Sequence, residues 1–179
     1  MKGLLALSRG IDWLNGKIAV AAVWLVLISC VVSAGNAVSR YLFSVSSNGW
    51  LEAQWYMFAA IVLLGAPYTL KVNEHVRVDL FYSAASKRAQ LWIDVLGGLF
   101  FLLPICAILI YFTWPWFLES WLIDEYSPNA GGLIRWPVKL LLPVGFALMV
   151  LQGISEIVKR AAALAHRIDA EFKYEQPLQ

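Results

Sequence analysis

Residues 18–39, IAVAAVWLVLISCVVSAGNAVS, form a run of 22 positions without a charge, bounded by Lys17 and Arg40. At about 1.5 Å per residue such a helix covers roughly 33 Å, enough for the ~30 Å hydrocarbon core of a bilayer. Three more blocks repeat the pattern: 53–70, 95–118 and 140–155. The last is short, but the stem of Lys139 and the apolar surface of Trp136 to Val138 extend it to a full crossing. A soluble helix shows a charged face, and these blocks have none, in keeping with a chain that is 60% hydrophobic and 15% charged.

A secretory signal is the rival reading of the first block, since basic residues precede it and Ser33, Ala34, Gly35 and Ala37 are small. The block exceeds the usual apolar core of a signal, starts late, and is followed by three others, so a retained span is favoured. The sequence therefore predicts an all-α integral membrane protein with four transmembrane helices, over about 18–39, 51–70, 91–118 and 136–157. These make a membrane domain over 18–158, with an interfacial segment at 1–17 and a tail at 159–179. In the first segment Leu4, Leu7, Ile11 and Leu14 share a face, which predicts a short interfacial helix. Pro104, in the middle of the third block, predicts a kink.

Basic residues set the orientation. Eleven of the 14 fall in the amino end, in the connector between spans two and three, or in the carboxyl end; only Arg40, Arg135 and Lys139 fall on the other side. The rule that basic loops stay inside puts both termini in the cytoplasm. Trp50, Trp114, Trp116, Trp121 and Trp136 then gather at the outer ends of the spans as an aromatic belt. The connector 119–135, with Glu119, Asp124 and Glu125 and turn residues from Ser127 to Gly132, reads as an ordered periplasmic loop close to the membrane. From 156 to 179 the last span continues and becomes polar, and its charges read as a solvated face and tail.

Chemistry-bearing residues are scarce. Cys30 and Cys106 sit singly in apolar blocks, as small packing residues. His75 and His166 lie outside the spans, which argues against a haem anchor, and no metal, nucleophile or phosphate-loop motif is present, so no enzyme, cofactor or metal site is expected. The net charge of +2 is mild and scattered, which argues against nucleic acid as a partner. An autonomous carrier or channel forming homo-oligomers is an alternative, but such carriers usually place ionisable groups or broken helices at mid-membrane.

Two polar features remain. Arg40 closes span one and Glu52 opens span two, so an outer hairpin can pair them, or each can face water. The connector KVNEHVRVD, 71–79, concentrates Glu74, His75, Arg77 and Asp79. It reads either as an interfacial turn against a partner subunit or as a solvated loop.

These residues carry a resemblance. NAVSRYLF at 36–43, SSNGWLEAQWYMFAAIVLLGAPYTLKVNEHVRVDLFY at 46–82 and SPNAGGLIRWPVKLLLPVGFALMVLQGISE at 127–156 resemble the small membrane subunit of the tripartite ATP-independent periplasmic (TRAP) transporters, the DctQ-like family. The resemblance implies a secondary transport system of the bacterial inner membrane. In it a periplasmic solute-binding protein delivers a solute, often an organic acid, to a large multi-span subunit carrying the substrate and ion sites, while the small subunit acts as a fixed, non-catalytic buttress. It further implies that Arg40, Trp50 and Glu52 match family positions. Ala53 stands where many members have a second acid, and that departure puts a two-carboxylate role in doubt. It also marks Glu74, His75, Arg77, Asp79, Arg135 and Trp136 as structural or interface candidates. Gly97, Gly98, Gly145 and Gly153 suit close helix packing.

Overall fold

A computed structural model describes residues 2–75, 82 and 84–165. It is all helical: α1 is Lys2–Phe43, α2 Asn48–Val72, α3 Lys87–Gly97, then a π-helical turn Gly98–Leu102, α4 Leu103–Leu122 and α5 Trp136–Leu164. With α3, the π turn and α4 taken as one helix, Lys87–Leu122, the described residues hold four helices long and apolar enough to cross a membrane.

The helix ends follow from local chemistry. Ser47 caps α2 and Ser86 caps α3, each side-chain oxygen accepting a backbone N–H of the first turn. At the far end of α2, Asn73 takes the left-handed conformation with φ 61°. Its N–H reaches the Leu70 carbonyl while the Glu74 N–H reaches Thr69, so the last turn closes on itself. Asp124, with φ 47°, closes α4 similarly: its N–H bonds Trp121, and the Glu125 N–H bonds Ser120.

Pro104 lacks an N–H and cannot bond the carbonyl four residues back. The chain answers with the π turn just before it, in which the Leu103 N–H reaches back to the Gly98 carbonyl. The disturbance foreseen at Pro104 thus takes the form of a widened turn.

α5 is the central element and packs against every other helix, while α1 and α2 pair beside it and α3–α4 lie along it. Close approach depends on small residues. A Cβ on Gly145 would lie 2.8 Å from Leu63 Cβ and 3.0 Å from the Leu63 carbonyl oxygen, one on Gly153 2.8 Å from Leu102, and one on Gly98 2.9 Å from Ile157. Gly97 differs from expectation: nothing lies within 4 Å of its would-be Cβ, and it borders an open crevice beside α5 while its neighbour meets Ile157.

The amino-terminal segment is also not a separate helix. It runs unbroken into the first span, giving α1 42 residues and a length of about 63 Å. Of the foreseen apolar face, Ile11 is buried while Leu4, Leu7 and Leu14 are exposed. The reason is that Ser8, Asp12 and Asn15 turn toward α5 and hold the segment there.

The interior is inverted relative to a soluble bundle. The buried apolar residues are mostly small (Ala19, Ala22, Ala60, Ala162), whereas Asn15, Glu52, Lys139, Gln152, Glu156 and Arg160 are buried, and most large apolar side chains point outward. Lipid tails accept apolar surface as readily as a protein core does, so helices associate through packing of small residues and through polar groups that lipid would leave unsatisfied.

Candidate functional site

Polar side chains gather at the two ends of the bundle. At one end, here the loop pole, the chain from 123 to 135 folds over the start of α2. A backbone ladder ties it together: Ser127 N–H to the Leu133 carbonyl at 3.0 Å and Arg135 N–H to the Glu125 carbonyl at 2.8 Å. Glu52, one turn into α2 and 3% exposed, is the anchor. Its carboxylate accepts from the Ser127 hydroxyl, from Asn129 Nδ2 at 2.8 Å and from the Leu133 N–H at 2.7 Å. Tyr56 donates to the Ile134 carbonyl and Asn48 to the Ala130 carbonyl. A Cβ on Gly132 would lie 2.5 Å from Ser127 Cβ, so the turn closes only with glycine there.

Glu125 completes this pole. It takes a charged hydrogen bond from Lys139 and faces Arg135 at 3.9 Å. The Lys139 contact holds its carboxyl below the usual carboxylate value. Lys139 also lies over the Trp116 ring at 4.4 Å, and Trp121 packs on Trp136 at 4.6 Å, so three tryptophans of the foreseen belt join α4 to α5.

The pairing of Arg40 with Glu52 does not form. Arg40 is exposed in the last turn of α1 and makes no ion pair among the described residues. The acid finds its donors 75 to 81 residues further on instead, where three aligned dipoles satisfy the carboxylate and the Arg135 charge adds a lesser contribution. Trp50 is exposed nearby.

The opposite end, the terminal pole, holds a continuous network. Asn15 donates to Gln152 at 2.7 Å; Gln152 donates to Asp12 at 2.8 Å and to Glu156 at 2.9 Å. The hydroxyls of Ser8 and Ser155 lie 2.6 Å apart, and Ser155 donates to Asp12. Lys159 bridges Asp12, at 3.1 Å, and Glu156. Arg160 binds Glu156 and reaches Asp94 of α3 at 2.8 Å, and Asp94 accepts from the Tyr82 hydroxyl. Lys71, at the end of α2, donates to the Asp12 carbonyl. Four helices thus meet in one set of hydrogen bonds and ion pairs.

Glu156 and Arg160, each 6% exposed, correct the expectation of a solvated tail. At spacing i, i+4 they face inward together, and Asp94 on α3 completes the pair. The remaining candidates fall beside this network. Glu74 and His75 are exposed just beyond α2, and His75 lines a crevice of about 280 Å³ with Asp94, Glu156 and Arg160. Arg77 and Asp79 lie outside the described residues. Among the described residues no group of three or more His, Cys, Asp or Glu is placed to hold a metal ion.

Sequence reasoning missed the terminal network. The signal was present: Gln152 and Ser155 interrupt an apolar run at a spacing that shares a face with Glu156 and Lys159, and Ser8, Asp12 and Asn15 repeat that spacing on α1.

Four spanning helices, with polar side chains engaged at both ends and apolar surface outward, define a multi-pass membrane protein. The family model described as "Tripartite ATP-independent periplasmic transporters, DctQ component" matches residues 29–163, three quarters of the chain. The chain belongs to this family, the small membrane subunits of TRAP transporters. Among curated proteins and solved structures nothing matches it.

Proposed function

We propose that this chain is the stationary, non-catalytic subunit of a TRAP transporter in the bacterial inner membrane. It braces the large membrane subunit during ion-driven uptake of a solute, an organic acid by class, delivered by a periplasmic binding protein. Both termini lie in the cytoplasm, so the loop pole faces the periplasm and the binding protein, and Glu52 and Arg135 serve to hold that face in shape. His75 and Glu74 belong to a cytoplasmic turn near the partner subunit.

One observation carries the reading: among the described residues the ion pairs of the bundle lie at its two ends, and the spans between them are uncharged. A carrier that moves an ion and an organic anion needs polar groups at mid-membrane. A brace needs helices locked together and an apolar exterior. The test is uptake of labelled organic acids into vesicles holding the large subunit and the ion gradient, with binding protein outside, with and without this chain. Uptake that requires the chain, and none by the chain alone, is the expected result. Full-rate uptake without it, or solute movement by the purified chain alone, sinks the proposal.

A further inference from the structure

One face of α1 remains unused by the packing described above. At 100° per residue, Arg9, Trp13, Lys17, Val20, Trp24 and Val31 fall within an arc of about 80°. The arc is exposed throughout: Trp13 65%, Val20 57%, Trp24 60% and Val31 63%, with Arg9 and Lys17 also exposed. The opposite side of the helix carries Ser8, Ile11, Asn15, Ala19, Ala22 and Ser29, all buried. The stripe is ordered along the axis. Its apolar part begins at Val20; Lys17, Trp13 and Arg9 follow toward the terminal pole, one turn or about 6 Å apart.

This is the order of groups met on leaving a bilayer: hydrocarbon, then an indole at the headgroups, with cations on either side of it. Charge complementarity points the same way. Of the described acids of this pole, Asp12, Asp94 and Glu156 are held by Lys159 and Arg160 and Glu74 stands exposed at the end of α2, whereas Arg9 and Lys17 make no ion pair among the described residues. The exposed stripe on the π turn and α4, Phe101, Ile105, Ile108 and Phe112, is equally apolar but has no cation within a turn of either end.

We propose that this face of α1 is a lipid-facing edge of the subunit, and that Arg9 and Lys17, flanking Trp13, bind the phosphates of anionic phospholipids in the leaflet at the terminal pole. The inference needs only the membrane character of the chain and stands apart from its role as a brace. It assigns the large subunit to other faces.

The experiment is native mass spectrometry of the purified protein in micelles holding equal amounts of phosphatidylglycerol and phosphatidylcholine. The wild type retains phosphatidylglycerol preferentially, and Arg9→Gln and Lys17→Gln each lower that preference about fivefold, the effect of one cation near an anionic surface. Because both residues are exposed, helical content stays unchanged in the variants, which separates lost binding from lost fold. Equal retention of the two lipids by the wild type, or an undiminished preference in the double variant, overturns the proposal. A photo-crosslinker at Val20 in native membranes tests the occupant directly: labelled lipid supports it, and a labelled polypeptide refutes it.

Discussion

Replacing Gln152 with leucine removes one of the residues through which α1 and α5 are joined. Gln152 is fully buried and makes three hydrogen bonds, accepting from Asn15 and donating to Asp12 and Glu156. Leucine has similar bulk, so the loss is one of polar partners and not of volume. At the ~0.6 kcal/mol that a hydrogen bond between membrane helices averages, three bonds sum to about 2 kcal/mol. Two of them end on carboxylates, and bonds to charged groups run to roughly 1.5 kcal/mol at the low end in soluble proteins, which raises the sum to about 4 kcal/mol, so the expected loss lies between about 2 and about 4 kcal/mol. Asn15 suffers in particular: its Oδ1 already has no partner, and the variant strands its Nδ2 as well. Reversible unfolding in mixed micelles, titrated with a denaturing detergent, measures the loss. The double variant Asn15→Leu with Gln152→Leu should be less unstable than the two single losses added, by about 1 kcal/mol, because it removes both ends of one bond. A single-variant loss below about 0.5 kcal/mol, or strict additivity, would refute the network as a joint between helices.

Three further outcomes follow from the same structure. Glu52→Ala takes the acceptor from Ser127, Asn129 and Leu133, so hydrogen exchange should quicken over 127–133 while Ser8 to Asn15 keep their protection; unchanged exchange in the loop would exclude Glu52 as its anchor. Gly145→Ala places a methyl group against the Leu63 backbone and should cost about 1–3 kcal/mol by forcing α2 from α5, whereas Gly97→Ala, with open space around it, should be neutral or slightly stabilising; equal effects at the two sites would deny the close contact. Glu125 has its folded pKa depressed below the ordinary 4.5 by the Lys139 contact, so its contribution is present at neutral pH and is lost as pH falls below that value through the folded pKa; the stability gap between wild type and Glu125→Gln should close on acidification, and a gap independent of pH would contradict the ion pair.

Helix number and the small-residue contacts at Gly98, Gly145 and Gly153 were legible because each depends on composition within one helix. The joints were not, because they depend on which helix lies opposite. Glu52 illustrates the difference: along the chain its natural partner is Arg40, 12 positions away, yet three neutral donors from the loop before α5 satisfy it. Asp12 reads locally as a surface charge on an amphipathic segment. Only when α5 is set antiparallel against it do Gln152, Ser155 and Lys159 come within reach. A charge at the end of an apolar run has two physical outcomes, exposure to water or burial with a partner, and local sequence does not distinguish them. Glu156 and Arg160 took the second course.

The claim that this subunit stays still while its partner moves can be tested by locking it. Ser8 and Ser155, whose hydroxyls lie 2.6 Å apart, are replaced by cysteines in a background where Cys30 and Cys106 are serines, and the pair is oxidised in the assembled, reconstituted transporter. A stationary brace predicts uptake at the same rate in the locked and the reduced protein. Uptake that stops on oxidation and returns on reduction would show that α1 and α5 must part during transport, and would contradict the account.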